Sequence, residues 1–183
     1  MGKVLRKVRR KVRKKVLRKV KRFFTTKSEI RIGANAFMLA HREYFDGKRV
    51  IDFGSGATMQ YKNFFNYGEY VPIDKDIDGS DICKKMDVTG DCGICIAVLE
   101  HCMDPVSALK NIRDCIGVGY LLLGVSIKYV LHMLPDDYYR FTPEFWRVVE
   151  SCGFEIVEKS EILGKGLDGQ DSSMLTMLCK GKE

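Results

Sequence analysis

The chain has 183 residues, of which 45% are hydrophobic, so it is long enough for one globular domain with an extension. Its formal charge is +7, yet residues 1–22 hold thirteen Lys and Arg and no acid, which leaves 18 basic residues against 24 acidic ones. The remainder therefore has a formal charge of −6, which argues against a positively lined nucleic-acid groove in it, and no apolar run approaches the ~20 residues of a membrane span.

The first 24 residues form a basic arm, defined here as residues 1–24. From Leu5 to Val20 it reads LRKV RRKV RKKV LRKV, and its valines recur at every fourth position, which places them on one winding ridge of a helix. Phe23 and Phe24 follow. We predict an amphipathic helix that binds an anionic membrane surface, where the basic side chains remain at the water boundary. The alternatives are a solvated tail, a contact with RNA or DNA, and a mitochondrial presequence.

From residue 30 onward, short apolar runs alternate with amphipathic ones, which is typical of alternating strands and helices. Strands are predicted at residues 49–53, 70–73, 93–99, 120–125, 154–159 and 173–180, and helices at 34–45, 58–65, 105–115 and 143–152. This order predicts an α/β fold with a mostly parallel sheet and helices on both faces. Ligands are then expected at the carboxyl ends of the strands.

The seven cysteines are scattered through apolar segments without a secretory signal ahead of them, which predicts reduced thiols in a cytosolic protein. Cys92 and Cys95 form a C-x-x-C pair inside a predicted buried strand. Because alternate residues of a strand face opposite sides, their thiols are expected to point apart. We therefore predict no metal site.

Two predicted strands end in residues that are suited to binding a nucleotide-like ligand. In RVIDFGSGAT, residues 49–58, an apolar strand runs into Gly54-Ser55-Gly56, where the chain can pass close to a ligand; the alternative is an ordinary tight turn. In YVPIDKD, residues 70–76, the next strand ends at Asp74, 22 positions after Asp52. This offset is close to the ~20 residues at which an acid binds the hydroxyls of a ribose.

Together with CIAVLEHCMDP, residues 95–105, these stretches resemble the class I S-adenosylmethionine-dependent methyltransferases, in particular the type 11 kind with its V-L-E-H-x-x-D-P signature. The segment HMLPDDYYRFTP, residues 132–143, is similar to members associated with polysaccharide and cell-envelope biosynthesis. The resemblance covers residues 30–183, which we take as one methyltransferase domain. It implies a Rossmann-like sheet of six or seven strands with an antiparallel last strand, preceded by the basic helix.

The resemblance also implies S-adenosyl-L-methionine as cofactor and a set of residues around it. The methionine part would lie over Gly54, Ser55 and Gly56, with Asp52 near its amino group. Asp74 would hold the ribose, and Asp87, preferred over Asp81, would face the adenine. Two further pocket residues would line the end of the strand at 93–99, namely Ala97 and Val98.

On the acceptor side, the expected task is to place an oxygen or nitrogen in line with an activated methyl group. His132 is the preferred base and His101 the second, because both follow strands at the carboxyl edge. The alternative for each is a histidine with a purely structural role. For the pair Glu100-His101, the alternative is that it caps and stabilises the loop. Tyr138, Tyr139 and Arg140 are predicted to contact a sugar or phosphate, unless the tyrosines pack under the loop and Arg140 pairs with Asp136 or Asp137. The expected partners are a glycan or small-molecule acceptor and a membrane surface at the cytoplasmic face, with nucleic acid as the alternative.

Overall fold

The computed structural model describes residues 28–131 and 136–183, so the basic arm and His132 lie outside the described residues. Within the two described ranges, no helix is long and apolar enough to cross a membrane. The first helix, α1 (Glu29–Ala40), begins earlier than predicted and is followed by a short 3-10 helix, Arg42–Tyr44. It begins there because the Ser28 hydroxyl accepts a hydrogen bond from the Arg31 N–H at 3.2 Å, a cap that the sequence analysis overlooked.

Six strands form one sheet, in the order β2-β1-β3-β4-β6-β5. Their bounds are β1 (Arg49–Phe53), β2 (Glu69–Ile73), β3 (Cys92–Ile96), β4 (Tyr120–Lys128), β5 (Phe154–Lys165) and β6 (Asp171–Gly181). The first four strands pair in parallel, and β6 is antiparallel to both of its neighbours. The predicted mostly parallel sheet with a reversed last strand is confirmed. In the described segment 74–91 no further strand forms, so the sheet has six strands.

Helices cover both faces of the sheet, as predicted. Helix α1 packs on one face through its buried side chains, while α2 (Pro105–Ile116) and α3 (Trp146–Ser151) pack on the other. Cys92 belongs to the first face and Cys95 to the second, and both thiols are free and buried. The C-x-x-C pair therefore divides between two separate core layers, as the alternation of a strand requires.

One predicted helix was wrong, and one predicted strand was too long. Residues 58–65 form consecutive turns instead of a helix, because Met59 has a φ of +43°, outside the helical region, and the hydrogen bonds there span three residues. The strand predicted at 93–99 ends at Ile96. Ala97 has a φ of +56°, which turns the chain into a 3-10 helix at Leu99–His101.

Candidate functional site

The glycine turn, residues 54–56, follows β1 and is hydrogen-bonded to the end of β2. Gly54 and Gly56 have φ values of +76° and +62°, in the left-handed region that favours glycine. The backbone N–H groups of Gly54 and Ser55 both donate to the carbonyl oxygen of Ile73, at 2.8 and 3.1 Å. A Cβ at Gly54 would lie 2.5 Å from a methyl group of Val98, whereas a Cβ at Gly56 would meet nothing within 4 Å. The turn is therefore packed beneath Gly54 and open beside Gly56.

Asp74 is held over this turn. One carboxylate oxygen accepts the Gly56 N–H at 2.8 Å, and the other accepts the N–H of Asp76 at 2.9 Å. Because β1 and β2 are parallel neighbours, the two strand ends meet at one edge, which explains the contact across 18 positions of sequence. Each carboxylate oxygen retains a second lone pair, so Asp74 can also accept from a ligand.

Asp52 lies inside β1 and is buried, with only 1% of its surface exposed. The hydroxyl of Tyr70 donates to its carboxylate. Burial raises the pKa of Asp52 to about 6, Asp74 adds to this effect, and the Tyr70 hydrogen bond opposes it. Asp52 therefore changes its charge in the mildly acidic range, unlike an ordinary aspartate.

Ser55 adds an unsatisfied polar atom to the turn. Its side chain is buried, and its hydroxyl oxygen has no hydrogen-bond partner among the residues of the two described ranges. Buried polar atoms are usually paired, so such an atom at a strand end indicates a partner from a ligand or water.

A cavity of about 410 Å³ flanks β2 and contains both acids considered for the adenine side. Asp81 is partly buried, accepts the N–H of Cys83 at 3.0 Å and lies 3.7 Å from the Lys84 ammonium group. Asp87 is exposed. Both acids thus line the same cavity, and the preference for Asp87 stays a prediction.

A second cavity, of about 250 Å³, lies at the ends of β3 and β4 and is here called the β3–β4 cavity. It is lined by side chains from α1, from the 3-10 helix after β3 and from the strand ends; those used below are Arg31, Ala97, Glu100, His101 and Ser126. Ala97 has the positive φ noted above, and such backbone strain in a residue other than glycine is often found at functional sites. Of the two predicted pocket residues, Ala97 reaches this cavity, whereas Val98 packs against Gly54.

Glu100 is the residue of this cavity that the sequence analysis undervalued. It is 2% exposed; one carboxyl oxygen accepts the Ser126 hydroxyl at 2.5 Å, and the other has no hydrogen-bond partner within the described part of the chain. Burial raises the pKa of Glu100, and this effect is opposed by the Ser126 hydrogen bond, by the residue's own backbone N–H and by the charges of His101 and Arg140. The available signal was the position of an acid directly after the strand predicted at residues 93–99.

The segment after residue 135 returns to the same edge. The backbone N–H groups of Tyr138 and Tyr139 donate to the carbonyl oxygen of Glu100, at 2.8 and 3.2 Å. His101 places its Nδ1 2.7 Å from the carbonyl oxygen of Asp136. Both tyrosine rings are partly exposed, at 46% and 38% of their surface. The predicted acceptor-side residues His101, Tyr138 and Tyr139 are therefore brought together.

Arg140 is engaged within the chain. Its Nε donates to the Tyr129 carbonyl oxygen at 3.0 Å, and Nη2 donates to Val130 at 2.9 Å and to Asp137 at 2.6 Å. Nη1 donates to the other oxygen of Asp137 and to the Tyr139 carbonyl. All five guanidinium donors thus have partners. This favours the structural pair with Asp137, because binding of a phosphate by Arg140 requires that these bonds break.

Solved structures share this arrangement of strands and helices. The 1,6-didemethyltoxoflavin-N1-methyltransferase of Burkholderia thailandensis, solved with bound 1,6-didemethyltoxoflavin and S-adenosylhomocysteine, has a TM-score of 0.63 and 15% identity over 87% of this chain and 81% of its own. The chain has the class I methyltransferase fold. A second example is the N-methyltransferase NodS of Bradyrhizobium japonicum with S-adenosylhomocysteine, at a TM-score of 0.59 and 12% identity over 84% and 88% of the two chains.

TehB of Haemophilus influenzae has the same class I methyltransferase fold, with a TM-score of 0.62 and 18% identity over 80% of this chain and 62% of its own. No family model matches the sequence, and neither does any curated protein. At such low sequence identity, structural similarity establishes the fold alone, and proteins of one fold catalyse many different reactions. The reaction must therefore be argued from the residues at the carboxyl edge.

Proposed function

We propose that this protein transfers a methyl group from S-adenosyl-L-methionine to an acceptor. The observation that carries the proposal is the junction of the open glycine turn with Asp74, whose carboxylate accepts the Gly56 N–H at 2.8 Å at the carboxyl edge of a parallel sheet. Such an edge is where α/β sheets bind nucleotide-like ligands. Two of the solved structures with this fold contain S-adenosylhomocysteine.

The residues at this edge fit the cofactor. Gly56 leaves open space where a side chain would stand, and the unsatisfied Ser55 hydroxyl can bond to a polar group placed there. Asp74 would accept the ribose hydroxyls, and Asp52 would lie near the amino group. Asp87 or Asp81 would face the adenine from the 410 Å³ cavity, and Ala97 with Val98 would line the end of β3. When bound, the cofactor supplies a methyl group already activated by its sulfonium.

The chain's own task is then to bind and orient the acceptor. We propose a hydroxyl of a sugar, a polysaccharide or a lipid-linked acceptor, supported by the exposed ring of Tyr138 and by the partly exposed ring of Tyr139, which stacks on Phe141 with ring centroids 5.9 Å apart. Their fixation to Glu100 places them beside the β3–β4 cavity. His132 and His101 are the bases proposed from the sequence. The basic arm would hold the enzyme at an anionic membrane surface, where each Lys or Arg contributes about 1 kcal/mol.

Calorimetry tests the cofactor proposal directly. Dialysed protein is expected to bind S-adenosylhomocysteine, and Asp74→Asn is expected to weaken the affinity about tenfold or more, because it replaces a charged acceptor by a neutral amide. Asp76→Asn is the matched control, since in the described contacts Asp76 contributes its backbone N–H to Asp74. Absence of binding in the unaltered protein would refute the proposal.

The alternative is an RNA-directed methyltransferase or a nucleic-acid-binding module, favoured by the thirteen basic residues in 1–22. Removal of residues 1–22 separates the two. Loss of binding to vesicles of phosphatidylserine and phosphatidylcholine, with no RNA binding in either form, supports the membrane proposal. Tight RNA binding that disappears with the arm supports the alternative.

A further inference from the structure

The β3–β4 cavity contains a buried carboxyl oxygen without a partner. Glu100 is 2% exposed, and one of its oxygens accepts the Ser126 hydroxyl at 2.5 Å. The second oxygen has no hydrogen-bond partner among residues 28–131 and 136–183, although the residue lines the cavity. Both protonation states leave this atom unsatisfied, since the ionised form lacks a donor and the protonated form lacks an acceptor.

The surroundings fix this carboxyl in place. The Glu100 carbonyl accepts the N–H groups of Tyr138 and Tyr139, so the backbone of the 3-10 helix is tied to the returning segment. The Ser126 hydroxyl holds the side chain from β4. A carboxyl group held at both its backbone and its first oxygen presents the second oxygen in a defined direction, which is the preorganisation that a binding group needs.

The charge of the cavity favours a neutral acceptor. Glu100 is accompanied there by Arg31, whose guanidinium also donates to Gln60, and by His101, while the remaining lining is largely apolar or hydroxyl-bearing. Arg31 and Glu100 carry opposite charges, so the cavity has no excess of one sign that would offset the cost of removing an ionic acceptor from water. A neutral hydroxyl avoids that cost and donates one hydrogen bond.

We propose that Glu100, instead of His132 or His101, binds the acceptor hydroxyl and receives its proton. The inference rests on the proposed methyl transfer and names the acceptor atom as a hydroxyl oxygen. A new bond joins this oxygen to the methyl carbon, and the bond from that carbon to the sulfonium sulfur breaks with its electron pair remaining on sulfur. The hydroxyl proton passes to the second oxygen of the ionised Glu100 carboxylate, so the positive charge of the sulfonium and the negative charge of the carboxylate disappear together. A base with a raised pKa suits this transfer, and burial raises the pKa of Glu100.

Two small probes test the binding step without any turnover. Cyclohexanol can donate to Glu100, while cyclohexyl methyl ether has nearly the same shape and cannot. With S-adenosylhomocysteine bound, the affinity of each probe is measured by saturation-transfer NMR up to its solubility limit. We expect the protein to bind cyclohexanol about tenfold more tightly, a difference of about 1.4 kcal/mol.

Variants then assign the preference to one residue. In Glu100→Gln the amide oxygen takes the Ser126 hydroxyl and the amide N–H groups face the cavity, so the preference for cyclohexanol is expected to vanish. Glu100→Asp withdraws the carboxylate by one methylene and is expected to reduce the preference as well. His132→Gln tests the rival base proposed from the sequence, and it is expected to keep the preference if Glu100 is the binding group. All three should bind S-adenosylhomocysteine as the unaltered protein does.

The outcomes separate the two proposals. If the unaltered protein does not bind S-adenosylhomocysteine, the proposed function fails and this inference fails with it. If it binds S-adenosylhomocysteine but binds both probes equally, or neither, the inference alone is overturned. It is also overturned if the preference survives in both Glu100 variants or disappears in His132→Gln. The probe pair needs only the unaltered protein, so a poorly folding Glu100 variant leaves the test intact.

Discussion

The carboxyl edge of the sheet has two ends that are built differently. At the β1–β2 end, the glycine turn and Asp74 come from two consecutive strand ends, and backbone N–H groups hold the carboxylate. At the β3–β4 end, the cavity combines side chains from α1, from the segment 96–101 and from positions beyond 125. A buried carboxyl occurs at each end, as Asp52 and Glu100. The first end is thus determined locally, whereas the second is assembled by the tertiary fold.

The largest effect is expected from Gly54→Ala at the β1–β2 end. The new Cβ would lie 2.5 Å from Val98, and the alanine would have to adopt a φ of +76°. We therefore expect the free energy of unfolding to fall by about 2 to 5 kcal/mol through strain and overpacking. Gly56→Ala is the matched control, because it has a similar φ but open space, and should lose about 1 to 2 kcal/mol. Urea unfolding measures both. Equal losses would show that Val98 is not the constraint.

The next effect concerns the pH dependence of stability through Asp52. Its pKa is raised from 3.8 to about 6, so the native state holds the proton more tightly than the unfolded state does. This contribution is fully present below about pH 3.8 and is lost as the pH rises through about 6, which amounts to about 3 kcal/mol over the window. In Asp52→Asn the unfolding free energy should decline less over this range.

Tyr70→Phe provides the opposite control for this pH dependence. It removes the hydroxyl that favours the ionised Asp52, so the pKa of Asp52 should rise further and the decline in stability should extend to higher pH. Denaturant unfolding at a series of pH values measures both variants. Glu100 has a raised pKa at the other end of the edge and keeps its own contribution of the same sign in each variant. An unchanged slope in Asp52→Asn would assign the effect to the β3–β4 end.

A smaller loss in the free energy of unfolding, of about 2 kcal/mol, is expected from Arg140→Ala beside the β3–β4 end. The change removes five donated hydrogen bonds, two of them to Asp137, whose side chain is 3% exposed. Arg140→Lys should recover only part of the loss, since an ammonium group cannot reproduce the forked contact with Asp137. Thermal unfolding and S-adenosylhomocysteine affinity are measured together. Unchanged stability in Arg140→Ala would contradict the structural role.

The β1–β2 end was largely predictable from sequence because its determinants are local. A strand, two glycines and an acid at a fixed offset predicted the turn and an acid at the end of the neighbouring strand, whereas the hydrogen bond between Gly56 and Asp74 is seen only in the structure. Helix α1 and the turns at 58–65 were placed less well: the first depended on a cap at Ser28, and the second on the positive φ of Met59. Neither feature alters the hydrophobic pattern on which the predictions rested.

The β3–β4 end was predictable only in part. The sequence indicated His101, Tyr138 and Tyr139 at one edge, and the structure brings them together. It could not show that Ser126 satisfies one oxygen of Glu100 and leaves the other without a described partner, because the two residues are 26 positions apart. Nor could it show that Arg140 is occupied by carbonyl groups, since these contacts depend on the path of the backbone.

The smallest expected effect is on cofactor affinity, and it distinguishes Asp81 from Asp87 in the 410 Å³ cavity. Asp81 is partly buried and already oriented by the Cys83 N–H, so it can accept a further hydrogen bond without losing freedom, whereas the exposed Asp87 competes with water. We therefore expect Asp81→Asn to weaken S-adenosylhomocysteine binding about three- to tenfold and Asp87→Asn to have less effect. Calorimetry on the two variants decides between them. A larger loss in Asp87→Asn would instead support the assignment made from the sequence, and would mean that the cofactor itself excludes water from that rim of the cavity.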